Sequence, residues 1–578
     1  MHSSPSSFTE FDKNNFVGKR GKDFLKGVSA YCQQTSLHGW QYLDSEKGFL
    51  QKIFWFAIVL MVLSISMFFV VNHTQTYLTS TTMTFIQSTT QSLNDVLFPS
   101  LFICNVNLVT KSFLRNLGVA DDVAAANLLF HEFLYGTKTK LNTEEQVILD
   151  KMLDGMKQVY NWDIHTRFFS ISSQNCSDMV IRAIWKNKYS KTFFNAYKTS
   201  TDFGACCMIV PYYDLEGADL SDSVEPGEKW HAVPRGLTRN GVLHGLKVML
   251  DVENYDYAYY PNGGKGFRVG IEDCRDKPVI NQNGIYVSPG SETLIPITPT
   301  ISNTSQQAMD RFSPEDRNCY TDNEFRFKHL RYEYGYRYSM VNCLYETAMQ
   351  QILKKCACIP TFTSFTIKGL DKFDVCRGLE LDCAENIMHN LGNENMGLNK
   401  AMDIHGELKT CRGACEYQAQ NIISTSTNYP NFQTFRGRKD LCLVLTKVTK
   451  ICKDPVKKLS LEKRYKGDMT CDQIISLAEG NKTICKTETS VPDQIILKEN
   501  PFKVFEFLNR YTANNIAILK IYLKDPYYTL IMKDEQMSTI SWIGNMGGLL
   551  GLFMGLSFVS LFEILYHCVG AFVKCFKA

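Results

Sequence analysis

The sequence predicts an α+β membrane protein in which a large, disulfide-rich domain lies between two membrane-spanning helices. Three observations predict this class: two long uncharged stretches at 53–71 and 536–562, 20 cysteines among 578 residues, and mixed strand-like and helix-like patterns between the stretches. The formal net charge of only +3 argues against a nucleic-acid-binding protein, which needs a basic surplus. A mean hydropathy of -0.17 excludes a polytopic transporter.

The first uncharged stretch, residues 53–71, reads IFWFAIVLMVLSISMFFVV. As a helix that rises about 1.5 Å per residue it extends for roughly 28 Å, which matches a hydrocarbon core. A secretory signal peptide would begin near Met1 and be shorter, and a buried helix of a soluble protein would carry a polar stripe. We therefore interpret residues 53–71 as the first transmembrane helix.

The second stretch is unusually rich in glycine, and we assign the second transmembrane helix to residues 536–567. Its glycines recur at intervals of three and four residues, which places small residues on one helix face at Gly544, Gly547, Gly548, Gly551 and Gly555. Such a face suits close contact between two helices, as in GxxxG dimers, or a backbone that faces a central axis. The spacing alone leaves both alternatives open.

The charges beside the two stretches predict the topology. Residues 1–52 contain seven Lys or Arg against five Asp or Glu, and the residues after Glu563 contain two lysines and no acidic residue. Because positively charged flanks stay inside, residues 1–52 and 568–578 are predicted to be cytoplasmic and residues 72–535 extracellular. The protein is then a multi-pass protein of the plasma membrane.

Cysteines and glycosylation motifs agree with this topology. Seventeen cysteines and three N-glycosylation sequons, at Asn175, Asn303 and Asn481, lie in the predicted extracellular domain. An alternative for four of the cysteines is a zinc site, with the ligands Cys356, Cys358, Cys376 and Cys383. Because extracellular CxC runs are more often oxidised, we predict disulfides and no metal.

Local patterns within the extracellular domain predict mixed secondary structure. The predicted strands are 267–274, 284–290 and 515–525, and the predicted amphipathic helices are 121–136 and 339–356. Histidines are few and scattered, and the GxSxG, HExxH and P-loop motifs are absent. We therefore predict neither enzymatic activity nor a cofactor.

A series of motifs resembles the degenerin and epithelial sodium channel superfamily over nearly the whole chain. The motifs are LHG at 37–39, FPSLFICNVN at 98–107, TDFGACC at 201–207, GVLHGLKVML at 241–250, GFRVGIEDCRDKP to VSPG at 266–290, YSMVNC at 338–343, CACIP at 356–360, NIAILKIYLKDPYYTLI at 515–531 and GLFMGLS at 551–557. Each motif alone is weak, but their order and spacing are specific. The invertebrate peptide-gated branch, the FMRFamide-activated sodium channels, is the most similar.

The resemblance implies a trimer, homomeric or heteromeric, with palm, knuckle, finger and thumb subdomains in the ligand-sensing extracellular domain, above a pore lined by the second span. It also implies five disulfides, Cys104–Cys206, Cys319–Cys415, Cys343–Cys411, Cys356–Cys383 and Cys358–Cys376. Thr347 and Lys409 stand where acid-sensing relatives carry the two cysteines of a further thumb bridge.

Seven extracellular cysteines have no partner implied by the resemblance. Four of them lie in a segment without a match, which we interpret as an insertion with two bridges of its own, and they are Cys442, Cys452, Cys471 and Cys485. The other three are Cys176, Cys207 and Cys274. Because three is an odd number, we expect at least one free thiol unless it pairs between chains.

The resemblance assigns the ion selectivity filter to Gly555, Leu556 and Ser557. Small residues there let backbone carbonyls or a hydroxyl of three chains replace part of the water around a permeant Na⁺, and an interrupted helix is tolerated because it lines a wet pore. His38 and Gly39 correspond to a re-entrant segment beneath this ring. Taken without the resemblance, His38 would be a surface or cytosolic residue.

Further pore-lining residues are implied on either side of the filter. Glu563 lies six residues beyond the filter, about 9 Å along a helix, and would form an acidic ring that favours cations. Its alternative is a carboxylate that snorkels to the membrane interface. On the outer side the implied pore-lining residues are Asn545, Gly548 and Gly551, and because relatives often carry Asp in place of Asn545, we expect a less negative outer vestibule.

The resemblance also implies partners, namely further copies of the chain, the lipid bilayer, an extracellular amidated peptide as agonist and a pore blocker of the amiloride type. A cationic Arg-Phe peptide requires carboxylates and an apolar pocket. The segment FHEFLY at 130–135 contains Phe130, Glu132 and Phe133, which we predict to contact the peptide. The alternative is that the rings belong to the core and that Glu132 is solvated.

Two other functions remain open on the sequence. The first is a channel of the same superfamily that is constitutively open or gated by protons, for which Asp251, Glu253 and Asp256 would supply coupled carboxylates unless they are only hydrated surface. The second is a two-span adhesion or scaffold receptor without a pore. The spaced glycines followed by Ser557 and Glu563 argue against a receptor, because a lipid-facing helix does not need them.

Overall fold

The structure is a computed structural model of the chain. It describes residues 29–44, 48–119, 123–135, 142–160, 168, 170–185, 188–189, 196–209, 239–260, 264–273, 275–330, 337–360, 373–430, 440–480 and 501–577, some of them as backbone only. The chain forms two compact units. The first contains residues up to Thr84 together with 305–317 and 533–578, and the second contains 85–304 and 318–532.

The strands are, in chain order, β1 (Thr82–Ser92), β2 (Ser100–Asn105), β3 (Val109–Thr110), β4 (Val180–Trp185), β5 (Lys188–Tyr189), β6 (Ala196–Thr201), β7 (Gly204–Ile209), β8 (Leu246–Asp251), β9 (Tyr257–Tyr259), β10 (Phe267–Glu272), β11 (Ile285–Val287), β12 (Ser291–Thr304), β13 (Cys319–Tyr320), β14 (Lys400–Met402), β15 (Leu408–Thr410), β16 (Gly413–Ala414), β17 (Glu416–Ile422), β18 (Thr425–Asn428), β19 (Ile516–Leu523) and β20 (Tyr527–Glu535).

The helices are α1 (Phe49–Thr79), α2 (Lys111–Asn116), α3 (Val123–Tyr135), α4 (Thr143–Tyr160), α5 (Cys176–Met179), α6 (Ile280–Asn283), α7 (Gln306–Arg311), α8 (Met340–Lys355), α9 (Leu379–His389), α10 (Asp440–Lys453), α11 (Pro455–Arg464), α12 (Cys471–Gly480), α13 (Pro501–Asn515), α14 (Thr539–Met554) and α15 (Phe558–Lys577). Short 3-10 helices cover Trp40–Leu43, Leu93–Asp95 and Asn254–Asp256.

The second unit is built on two sheets. The larger has the order β1-β20-β12-β19-β8-β4-β5, with β17 and β18 also paired to β12, and the smaller has the order β11-β10-β2-β7-β6. The central strand β12 alternates buried and half-buried residues, the period-2 pattern of a strand with one face on the core. A core of Val, Ile and Leu side chains from β2, β8, β10, β12 and β19 packs between the sheets.

The predicted elements of this unit are present. The three predicted strands correspond to β10, β11 and β19, and the two predicted helices correspond to α3 and α8. The Ser339 hydroxyl accepts a hydrogen bond from the backbone N–H of Asn342 at 3.1 Å, and it thereby caps α8 as its position in the sequence suggests. The mixed α and β character of the domain is therefore confirmed.

All five disulfides implied by the resemblance are formed. Two cysteines that the resemblance left without a partner, Cys176 and Cys207, also pair, because α5 contacts β6 and β6 is the neighbour of β7. In the insertion Cys452 pairs with Cys471, and Cys442 is disulfide-bonded. Cys274 and Cys485 lie outside the described residues. The predicted free thiol and the second predicted bridge of the unmatched segment therefore remain predictions.

The first unit contains the apolar helices. Helix α1 extends beyond the predicted 53–71 at both ends, while the predicted second span consists of α14 and α15 separated by residues 555–557. The axes of these two helices differ by 66°. By length and composition, α1 could cross a membrane, and the described residues contain a second such segment if the bent pair forms one span.

Candidate functional site

The candidate site is the break between α14 and α15. Gly555 ends α14 with φ 69°, in the left-handed region where residues with a Cβ are strained. Its N–H bonds to the Gly551 carbonyl at 2.9 Å, and the Leu556 N–H bonds to the Leu550 carbonyl at 3.2 Å. The glycine therefore stops the helix while most of the backbone groups at its end remain hydrogen-bonded.

Neighbouring atoms also require glycine at position 555. A Cβ built there would lie 2.8 Å from Cδ2 of His38 and 3.0 Å from the backbone oxygen of Ser36. A Cβ contact of 2.8 Å is essentially never seen in proteins, and the Ser36 backbone cannot move aside easily. The tight approach of residues 36–38 to the break thus depends on the missing side chain.

Ser557 starts the second helix. Its hydroxyl accepts from the Ser560 N–H at 3.2 Å, and the Ser560 hydroxyl accepts from the Ser557 N–H at 3.2 Å. This reciprocal pair is a capping arrangement, which satisfies two backbone donors at a helix N-terminus. Ser560 is fully buried, and its hydroxyl lies 3.4 Å from the carbonyl of Gly555. Ser560 therefore links the two ends of the break.

The segment 36–39 holds the break from the other side. The backbone N–H of His38 donates to the Met554 carbonyl at 3.0 Å, so it satisfies one of the carbonyls that the end of α14 leaves free. The Ser36 hydroxyl lies 2.8 Å from the Ser560 hydroxyl and 3.3 Å from Oε2 of Glu563. Gly39 has φ 84°, and a Cβ there would lie 2.9 Å from a methyl group of Val59.

The structure thus brings together most of the residues predicted for the pore and the re-entrant segment. His38, Gly39, Gly555, Ser557 and Glu563 all lie at the break. Glu563 bonds to the Ser36 hydroxyl of its own chain, a contact that the sequence does not predict. The sequence analysis also missed Ser36 and Ser560, and only the second could have been found, as the third residue after the capping Ser557.

The glycine face of α14 points away from α1. No atom lies within 4 Å of a Cβ built on Gly544, Gly547 or Gly548, and Asn545 is exposed. The opposite face packs on α1, where Trp542 stacks on Tyr77 with ring centroids 5.0 Å apart. The glycines are therefore not the contact face between the two helices of one chain.

An arginine joins the C-terminal end of α1 to the chain that leads from β20 into α14. One guanidinium nitrogen of Arg311 donates to a Glu535 carboxylate oxygen at 2.9 Å and to the Met537 carbonyl at 2.6 Å. The other donates to the Tyr77 carbonyl at 2.9 Å, and the guanidinium carbon lies 3.9 Å from the centre of the Tyr77 ring. These three acceptors hold the planar guanidinium in one orientation, so Arg311 ties α7 to α1 and to the chain that leads into α14. The sequence analysis did not single out this residue.

The second unit contains a different polar site, made by the carboxylates named above as an alternative. Asp251, Glu253 and Asp256 are buried, so they are not hydrated surface as that alternative would have them. Lys457 donates to both carboxylate oxygens of Glu253 at 3.0 Å, and Lys447 donates to one of them at 3.1 Å. We call these five residues the carboxylate–lysine cluster.

Burial changes the ionisation of this cluster. It raises the pKa of Asp251 to about 6, although Lys447 and a hydrogen bond from the Tyr511 hydroxyl at 2.8 Å oppose the rise. Burial and the neighbouring Glu253 raise the pKa of Asp256 to about 7. One oxygen of Asp256 accepts two bonds from Ser112, and the other has no partner among the described residues.

The predicted peptide contacts and glycosylation sites are placed as follows. The Phe130 ring is buried and stacks on Tyr259 at 4.2 Å between centroids, so it belongs to the core, the alternative left open by the sequence. The side chains of Glu132 and Phe133 lie outside the described part of the chain.

The three predicted glycosylation sites differ in exposure. Asn175 is exposed, Asn303 is half-buried in β12, and Asn481 is outside the described residues.

Comparison with known proteins assigns the family. The sequence profile described as "Amiloride-sensitive sodium channel" matches residues 31–567. The chain is similar to pickpocket protein 28 of Drosophila melanogaster, with 20% identity over 96% of this chain and 80% of that protein. It is also similar to acid-sensing ion channel 4-B of Danio rerio, with 20% identity over 95% of this chain and 76% of that protein.

A shorter match is to the beta subunit of the epithelial sodium channel of Mus musculus, at 28% identity over 20% of this chain and 18% of the subunit. None of these matches singles out the peptide-gated branch. The chain belongs to the amiloride-sensitive, or degenerin and epithelial, sodium channel family, whose members are plasma-membrane ion channels with a large disulfide-rich extracellular domain and not enzymes.

Proposed function

We propose that three copies of this chain form a sodium-selective channel of the plasma membrane, with its filter at Gly555, Leu556 and Ser557. The single observation that carries the proposal is the break between α14 and α15, where a glycine in the left-handed conformation stops the helix at the family's G-x-S motif. An interrupted helix is tolerated at membrane depth only where its backbone is buried in protein or lines water.

The surroundings of the break support a pore. No described atom outside α14 lies within 4 Å of a Cβ built on Gly544, Gly547 or Gly548, so this part of the glycine face is free to approach other copies or a central axis. Carbonyl groups at residues 555–557 from three chains would replace part of the water around Na⁺. Glu563 would place an acidic group on the inner side, where it favours cations. Both termini then lie in the cytoplasm, with residues 53–71 and 536–567 as the spans.

The proposed agonist is an extracellular amidated peptide of the FMRFamide type, and this part rests on the resemblance alone. Since the Phe130 ring is buried, the peptide would contact other residues of the segment 130–135 and not this ring. Peptide dose-response curves for Glu132→Gln and Phe130→Ala decide the matter. A midpoint that moves with Glu132→Gln locates the peptide there, whereas unchanged midpoints in both variants exclude this segment.

Voltage clamp of cells that express only this chain tests the channel itself. We expect a sodium-selective current in response to FMRFamide, and block by amiloride. In Ser557→Ala the ratio of Na⁺ to K⁺ permeability should change while surface expression persists. The matched control is Ser541→Ala, an exposed serine on α14 away from the break. Unchanged permeability in Ser557→Ala would mean that the filter lies elsewhere, and silence under every stimulus would favour a receptor without a pore.

Proton gating is a second candidate because a specific observation favours it. Asp251 and Asp256 are buried carboxyl groups whose pKa values are raised to about 6 and about 7, so they titrate close to extracellular pH. The groups that face them are Glu253, Lys447, Lys457 and three tyrosines, Tyr255, Tyr465 and Tyr511. Acid-evoked current that shifts its midpoint in Asp256→Asn would support this candidate.

A further inference from the structure

A basic cavity in the second unit lies beside the carboxylate–lysine cluster, since Tyr255 faces both, but none of the five residues of the cluster belongs to its described lining. It has a volume of about 280 Å³, and its lining includes the cations Lys111, Lys265, Lys463 and Arg464 and the hydroxyl-bearing residues Tyr255 and Ser460. These residues come from three segments distant in sequence: α2, the chain from 254 to 265, and the C-terminal half of α11. The fold therefore gathers four positive charges at one opening.

None of the described residues that line this cavity is acidic. Lys265, Lys463 and Arg464 form no ion pair with any described residue. Burial and the like charges of Arg464 and Lys111 lower the pKa of Lys265. Nearby Glu253 is already bound by Lys447 and Lys457, and Asp256 is bound by Ser112. Three neighbouring cations without a counter-charge among the described residues, namely Lys265, Lys463 and Arg464, favour the binding of an anion.

The inner part of the cavity offers unused hydrogen-bond donors. The hydroxyls of Tyr255 and Ser460 are buried, and neither has a hydrogen-bond partner among the described residues. The two residues are only 2% and 3% exposed. Because buried polar groups in native proteins are nearly always hydrogen-bonded, two unpartnered hydroxyls beside one cavity indicate a ligand with acceptor oxygens.

We propose that this cavity binds a small oxyanion, a phosphate or sulfate group that is free or carried by a small molecule. Such a group presents several acceptor oxygens and up to two negative charges, which matches hydroxyl donors inside and ammonium and guanidinium groups at the opening. The cavity is several times larger than the space of one water molecule, so a modest organic part fits beside the anion. A bound anion would tie α2, the 254–265 chain and α11 together.

Binding to the purified full-length protein tests the proposal without any current measurement, so its failure is distinct from failure of the channel function. Inorganic phosphate, sodium sulfate and ATP are titrated while the melting temperature is followed, with adenosine as an uncharged control. We expect an anion to raise the melting temperature and higher salt to weaken this effect. Equal responses to phosphate and sulfate assign the oxyanion itself, and a response to ATP alone assigns a phosphate ester.

Matched variants distinguish the cavity from general surface attraction. Lys463→Gln with Arg464→Gln removes two exposed cations in the last turn of α11, and should weaken binding about tenfold or more. Lys354→Gln with Lys355→Gln removes an equivalent exposed pair in the last turn of α8, and should leave binding unchanged. Tyr255→Phe should weaken anion binding but leave the melting temperature without ligand unchanged, because the removed hydroxyl has no hydrogen-bond partner among the described residues.

Three results would overturn the proposal. The first is the absence of a response to all three anions at millimolar concentration. The second is an equal loss of binding in the α8 control pair, which would indicate attraction to surface charge in general. The third is binding that appears only after Asp121→Asn with Asp122→Asn, residues that directly precede Val123 of the lining, because the chain's own carboxylates would then neutralise the cluster.

Discussion

The break in the apolar helices and the carboxylate–lysine cluster both hold polar groups in fixed positions, but they do so in opposite ways. At the break the polar groups are backbone carbonyls and hydroxyls, and they are held by a left-handed glycine and reciprocal serine caps. In the cluster they are charged side chains, and Glu253 is held by ion pairs with Lys457 at 3.0 Å and with Lys447 at 3.1 Å. The first site depends on backbone shape and the second on charge balance.

This difference determines which substitutions should disrupt each site. A site that depends on backbone shape is lost when a Cβ is added, because a left-handed conformation and a 2.8 Å contact cannot both be relieved. A site that depends on charge balance is lost when one partner is removed, because the remaining charge is buried alone. It also responds to pH, while the break, whose filter residues carry no ionisable side chain, should respond far less.

The largest expected effect is that of Gly555→Ala. The methyl group would force φ 69° on a residue with a Cβ and would meet the His38 ring, so the break cannot form as it does here. We expect loss of current under every stimulus, measured by voltage clamp together with surface labelling. Gly48→Ala is the control, since Gly48 has an ordinary negative φ of -61° before α1 and no described atom lies within 4 Å of the added methyl. A full current in Gly555→Ala would contradict the requirement for a left-handed residue.

The second prediction concerns charge balance in the cluster. In Lys457→Met, Glu253 keeps only Lys447, and Asp178 loses a partner at 2.9 Å. Burial alone would raise the pKa of Asp178, but Lys457, Lys447 and Lys450 lower it, so the pKa should rise in the variant. We expect a loss of about 3 kcal/mol in unfolding free energy, measured by denaturation of the purified protein.

Its control is Lys450→Gln, which removes a cation from the same Asp178 at 3.0 Å. Because the Lys450 side chain is 66% exposed, that ion pair is screened by solvent and should contribute less than about 1 kcal/mol. Equal losses in Lys457→Met and Lys450→Gln would show that burial of the pair does not matter.

The same contrast explains what the sequence could predict. The glycines at 544–555, the serine of the proposed filter and the apolar stretches are local signals, and the structure has the break at the predicted motif. Five disulfides followed from the resemblance, whereas the pair of Cys176 and Cys207 did not. The carboxylate–lysine cluster could not be predicted, because Asp178, the chain at 251–256 and Lys457 meet only through tertiary packing. A run such as DVENYD looks like hydrated surface until its partners are known.

The third prediction concerns pH. Burial raises the pKa of Asp256 to about 7 from an ordinary value near 3.8, so this group favours the folded state at low pH and loses that contribution as pH rises towards 7. The melting temperature of the protein should therefore fall between pH 5 and pH 8, and the fall should be smaller in Asp256→Asn. It should not vanish, because the pKa values of Asp251 and Glu272 are also raised, to about 6 and about 7.

Asp382→Asn serves as the control for this pH series, because Asp382 is exposed on the first turn of α9. Its replacement should leave the slope of melting temperature against pH unchanged. A slope in Asp256→Asn equal to that of the unmodified protein would mean that Asp256 ionises normally, which would remove the main support for proton gating through this cluster.

The smallest effect is expected for Ser560→Ala, which tests whether the break depends on its caps as well as on its glycine. The variant removes the hydroxyl that accepts from the Ser557 N–H and lies 2.8 Å from the Ser36 hydroxyl, while the backbone path through Gly555 is kept. We expect a loss of about 1 kcal/mol, too little to prevent folding, and a modest change in the ratio of Na⁺ to K⁺ permeability. Because Ser560 does not belong to the filter motif, such a change would mean that the cap fixes the position of the Gly555 and Ser557 backbone. Unaltered permeability would instead assign that role to the glycine alone.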